Sequence, residues 1–153
     1  MAAAPTLLGG IQAKLDGSAV YASLTDSGGV WFGGVPEDQT VLPYLAVVHH
    51  GEVPLFDPGA GLVEVTGRFD LVLVGRNPLS AVEALAAQVK TLFDPTITTT
   101  PWGFVELDVT GYAVSWVRRL DYVVRRLPKR AADGAYVFEI TMPYEAKLEG
   151  MRS

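Results

Sequence analysis

The sequence predicts an α+β domain in which a mostly antiparallel β-sheet packs against one main helix, with a short N-terminal helix ahead of it. Two observations carry that expectation. The stretch LVEVTGRFDLVLVGRNPLSAVEALAAQVKTLF, residues 62 to 93, changes from a period of two to a helical repeat across Asn77-Pro78. Further alternating stretches then follow one another with no second long helix between them, an order that suits α+β better than a regular strand-helix alternation.

The elements can be justified in chain order. Leu7, Leu8, Ile11 and Leu15 recur at helical spacing, which predicts a helix over residues 5 to 15 even though Gly9-Gly10 weaken it. Asp16-Gly17 predicts a turn. The segment from there to Asp38 is glycine-rich, with Gly28-Gly29 and Gly33-Gly34 bracketing Val30, Trp31 and Phe32, and reads as a loop or flexible hairpin. Tyr44 to His50 is a strand, followed by a connection from Gly51 to Gly61 that contains two prolines. Along the next strand Val63, Val65, Phe69, Leu71 and Leu73 share one parity, while Glu64, Thr66, Arg68 and Asp70 share the other. The helix from Leu79 to Phe93 places Val82, Leu85, Ala86, Val89, Leu92 and Phe93 on one apolar stripe. Asn77 is suited to cap it, Pro78 to open it, and Asp94-Pro95 to end it.

Residues 103 to 127 predict extended structure whose parity reverses at Gly111. Val105, Leu107 and Val109 are apolar before it and Tyr112, Val114 and Trp116 after it, as at a bulge. Tyr136 to Tyr144 alternates as a last strand, and Asp133-Gly134 suits the hairpin turn leading into it.

At 153 residues the chain is read as a single domain, residues 1 to 153. Nearly half of it is hydrophobic, yet no apolar run approaches the roughly 20 residues that span a bilayer, so no membrane partner is expected. MAAAPTLLGG lacks a basic segment and a sustained apolar one, so no secretory signal is expected. Without cysteine there are neither disulfides nor thiolate chemistry. The formal charge of -5 argues against a general nucleic-acid binder. It is unevenly spread, net -6 over residues 1 to 75 and +1 over residues 76 to 153, an asymmetry that a head-to-tail contact could use.

Few residues suggest chemistry. His49 and His50 are the only histidines, and as strand neighbours they point to opposite faces and cannot chelate one metal. The carboxylate pairs Glu106 with Asp108 and Glu64 with Asp70 could approach one another across a sheet, but a solvated strand face accounts for them better than acid-base work. No phosphate loop and no spaced calcium loop is present. No catalytic residue, cofactor or metal is therefore assigned. Trp31 and Phe32 are either part of a mobile loop or apolar anchors for a neighbouring subunit. Arg118, Arg119, Arg125, Arg126, Lys129 and Arg130, opposed in sequence only by Asp121, form the one charge cluster. They either protect a strand edge, meet acidic groups on another protein, or touch the phosphates of passing DNA.

LPYLAVVHHGEVPLFD, followed by VEVTGRFDLVLVGRNPLSAVEALAAQVKTLF, resembles the tail-terminator or tail-completion family of long-tailed bacteriophages. The resemblance is one of element order over most of residues 5 to 145, from Pro43-Tyr44 with its strand, through the long strand and the alanine- and leucine-rich helix, to the last strands. It implies a virion structural protein with no enzymatic role, assembled in the host cytoplasm into a ring, commonly a hexamer. That ring would sit on the head-proximal end of the tail tube, stop tube polymerisation and join the head-completion or connector protein. Under this resemblance Trp31 and Phe32 are expected at the subunit interface, and Arg118, Arg119, Arg125 and Arg126 at a partner interface. A tube subunit, a head-closure protein and a small ligand-binding or enzymatic domain are the alternatives.

Overall fold

Helices α1 (Ala4–Asp16) and α2 (Ala19–Thr25) lead into strands β1 (Val30–Phe32), β2 (Tyr44–Asp57) and β3 (Leu62–Arg76). Helix α3 (Leu79–Phe93) follows, then β4 (Ala113–Arg119), β5 (Val123–Arg130) and β6 (Tyr136–Met151). The computed structural model describes residues 4–36, 41–57, 62–94, 109 and 112–151. The strands form one sheet in the order β1-β2-β3-β6-β4, with β5 also paired to β6. Every pairing is antiparallel except β1 with β2, so the expected α+β class holds with one parallel edge strand added. β6 pairs with β3 from Val137 to Met151. Its other edge is shared, β5 taking the Tyr136–Thr141 end and β4 the Tyr144–Glu149 end.

All three helices contribute to a core on one face of this sheet. Leu45 and Val47 of β2, Phe69, Leu71 and Leu73 of β3, and Ile140, Met142 and Tyr144 of β6 meet Leu7, Ile11 and Leu15 of α1, Val20 and Leu24 of α2, and Val82, Val89 and Phe93 of α3. Fully burying one large aliphatic or aromatic side chain contributes roughly 1.5–3 kcal/mol, so the helices are held mainly by this face and only weakly by propensity. At the centre, Phe69 stacks on Tyr144 with ring centroids 5.4 Å apart, and Phe93 closes the trio at 5.8 Å from Phe69 and 5.9 Å from Tyr144.

Several expectations are corrected. Residues 17 to 38 are not a loop throughout, because α2 and β1 lie within them. Ser18 starts α2 by accepting a hydrogen bond from the Tyr21 amide at 3.2 Å, which satisfies one of the helix's orphan donors. β2 does not stop at His50. It passes through a register shift between His49 and Glu52 and continues to Asp57, with Gly51 at φ 96° supplying a conformation that other residues rarely adopt.

Pro78, and not Asn77, is the N-cap of α3, while the Asn77 amide donates to Tyr136 O at 2.8 Å and so belongs to the end of the sheet. The stretch from 103 to 127 is not continuous, since Leu120 to Tyr122 separate β4 from β5. Gly111 lies outside the described residues, and the register shift seen in β4 falls between Val114 and Trp116. The last strand runs past Tyr144 to Met151.

Candidate functional site: the two edges of the sheet

One edge is built by β1. The turn after α2 is drawn tightly onto β2, the Gly28 amide donating to Pro43 O at 2.8 Å and the Leu45 amide to Gly29 O at 3.0 Å. Gly29 takes φ 92°, which brings Trp31 round so that its indole NH donates to Gly28 O at 2.9 Å. Trp31 is half-buried and in register with Ala46, whereas Phe32 is in register with Val47 and packs against the core. Only part of the Trp31–Phe32 pair thus faces away from the fold.

The opposite edge at the same level is β5. Its residues are exposed on both faces apart from the half-buried Leu127, so none of the described helices covers it. Arg125 pairs with Glu139 at 3.0 Å, and Arg126 and Arg130 lie over the exposed Tyr136 ring at 4.7 and 4.3 Å. Large exposed apolar side chains mark both edges among the described residues. Leu120, Val123, Val124 and Tyr136 lie on or beside β5, while Val41 and Val48 lie at the β2 side.

The Arg118–Arg119 doublet divides between the sheet's faces, as strand alternation requires. Arg118, with its side chain 61% exposed, bonds Glu145 at 2.7 Å, and Arg68 reaches the same carboxylate from the other side at 3.4 Å. Arg119, only 28% exposed, donates to both carboxylate oxygens of Asp94 at 3.2 Å. The basic cluster is therefore opposed by Glu145, Asp94 and Glu139 brought in from elsewhere in the chain, while Asp121 accepts from the Tyr122 amide.

Asp94 is a hub, since Tyr144 Oη also donates to it at 2.6 Å and ties the end of α3 to the middle of β6. Burial, and then the neighbouring Asp94 carboxylate, push the Tyr144 hydroxyl far above its ordinary range. A raised pKa means that the neutral phenol's stabilisation is intact below about pH 10 and declines as pH rises past that value, where the unfolded chain ionises first. Unfolding free energy is thus expected to fall above about pH 10, and Tyr144→Phe to flatten that fall at a cost of roughly 1.5–3 kcal/mol at neutral pH. Urea titrations of both proteins at a series of pH values check this.

Among the described residues the candidate chemical groups do not converge. His50 bonds Asp70 at 2.8 Å, and His49, its neighbour, has the opposite parity. Glu64 and Asp70 are six residues apart on one strand, about 20 Å, and contact Lys147 and His50 respectively, so they do not approach one another. Glu106 and Asp108 lie outside the described residues. An open hollow of about 520 Å³ is lined by His50, Arg68, Asp70, Leu120, Asp121, Pro143 and Tyr144. Its charged groups already serve partners within the fold. Among the described residues no cluster of His, Asp and Glu is arranged to hold a metal, and no helix is long and apolar enough to cross a membrane.

No family model matches the sequence, and no curated protein matches it. A solved structure does match in fold. Superposition on a chain from the virion of a native gene transfer agent (GTA) particle gives a TM-score of 0.69, covering 94% of this chain and 95% of that one at 18% sequence identity. The architecture is thus shared almost end to end with a chain found in a virion.

Proposed function

We propose that this chain is a phage-type virion structural protein with no catalytic role, and that it caps the head-proximal end of the tail tube as a closed ring, a hexamer by the sequence resemblance. In that position it ends tube polymerisation and offers the joining surface to the head-completion or connector protein, with DNA passing through the lumen. The observation that carries this reading is the near-complete fold match to a virion chain. The element order that resembles tail terminators and the two unlike sheet edges, of which β5 is exposed, support it further. Heterologous contacts between unlike patches generate rings when the rotation closes. Trp31 and Phe32 serve subunit packing in this reading. Among the arginines, Arg125 and Arg126 on the uncovered strand are better placed for a neighbouring protein than Arg119, which secures α3.

Light-scattering mass measurement with negative-stain imaging tests the proposal. A closed annulus of fixed mass is expected; open fibres of growing length would point to a tube subunit, and a monomer at every concentration would remove the ring altogether. Trp31→Ala is expected to weaken self-association by about 30-fold, the effect of an interface anchor worth roughly 2 kcal/mol, with unfolding measured alongside to keep fold and assembly apart.

A further inference from the structure

We infer that copies of this chain join edge to edge, β5 of one copy lying antiparallel to β1 of the next so that the sheet continues from subunit to subunit. This rests on the ring reading and specifies its contact. Registers across the sheet place the two strands at opposite ends of the same rows. Trp31 aligns through Ala46, Val72 and Thr141 with Val123, and Val30 through Leu45, Leu73 and Ile140 with Val124. β1 runs parallel to β2, and three successive antiparallel pairings then make β5 run opposite to β1, so continuing the sheet brings them together antiparallel. The lengths agree as well. β1 has three residues, and β5 keeps regular pairing with β6 only from Val123 to Arg126 before its register shifts.

Charge makes the contact directional. Residues 15 to 67, which include α2, β1 and β2, contain seven acidic residues and no lysine or arginine. β5 contains Arg125, Arg126, Lys129 and Arg130 and no acidic residue. In the antiparallel arrangement the chain leading back from Val30 to Asp26, which is exposed at the C-cap of α2, runs the same way as β5 leading on from Val124 to Arg130. Two β5 edges repel each other, as do two β1 edges, so the favoured contact is head to tail. The exposed Val123, Val124 and Tyr136 on one edge and Val41 on the other supply apolar surface for the centre of the contact.

Charge reversal tests this in the full chain. Arg126→Glu with Lys129→Glu leaves the Arg125–Glu139 pair in place. It is expected to raise the concentration for half-assembly in analytical ultracentrifugation by about tenfold or more. Asp26→Lys is expected to weaken assembly in the same direction, and combining all three changes to recover most of it, with circular dichroism and thermal unfolding unchanged throughout. Loss that the triple variant does not repair would overturn the inference. So would a wild-type ring whose mass is indifferent to Arg126→Glu with Lys129→Glu, including one that loses only its hold on DNA, but either result would leave the ring reading standing. A wild-type chain that never associates would overturn both.

Discussion

Replacing Phe69 with alanine is expected to lower folding stability by about 3–5 kcal/mol, the range for deleting a buried phenylalanine ring. Phe69 is fully buried, stacked on Tyr144 with their planes 8° apart and edge-on to Phe93 at 66°. It therefore joins β3, β6 and α3 at one point. Deletion removes its own transfer free energy and also the ring contacts of both partners, worth about 0.5–1.5 kcal/mol per pair beyond area. The neighbours can close such a cavity only in part, because Tyr144 is held by Asp94 and Phe93 ends a helix packed along its length. A urea midpoint shift with unchanged slope would report this cost. A loss below about 1 kcal/mol would mean that the trio does not organise the core.

The second large effect is expected at Gly28. A Cβ built there would lie 2.6 Å from Pro43 O and 2.9 Å from Tyr44 Cβ, and closer still to Val41 O. Much of the obstruction is backbone, so it cannot be relieved by a rotamer change, and the Gly28–Pro43 hydrogen bond that fixes the turn would have to lengthen. Gly28→Ala is expected to destabilise by about 1–3 kcal/mol and to loosen β1 from β2 before the core opens. Gly9→Ala is the control with the opposite sign. It adds a methyl with nothing within 4 Å and removes a mid-helix glycine, which should stabilise α1 by up to about 1 kcal/mol. Equilibrium unfolding of the two variants side by side checks both directions, and hydrogen exchange of the Val30–Phe32 amides locates the first.

How much could be read from the sequence depended on whether a signal was local. β3 and α3 were legible because each keeps one period for about fifteen residues, long enough for burial on a single face to dominate composition. α2 was obscured by the glycines around it, although Ser18 followed by Val20 and Leu24 at a spacing of four carried the cap and the apolar stripe. β2 appeared to end early because Gly51 and Pro54 read as a connection, whereas pairing with β3 holds that chain extended. The arginines looked unopposed because their carboxylates lie 14 to 27 residues away in sequence, a distance over which no pattern rule operates. The level alignment of β1 with β5 was equally invisible, since it emerges only after β2, β3 and β6 are laid between them.

β6 divides its outer edge between β4, which reaches the core through Val117, and β5, whose exposed residues stand apart from it. Under the proposed edge-to-edge contact, the task of folding and the task of recognising a neighbour fall on different strands. Substitutions on the exposed β5 are then expected to cost little folding stability, so the proposed contact can change while the packing residues stay constrained.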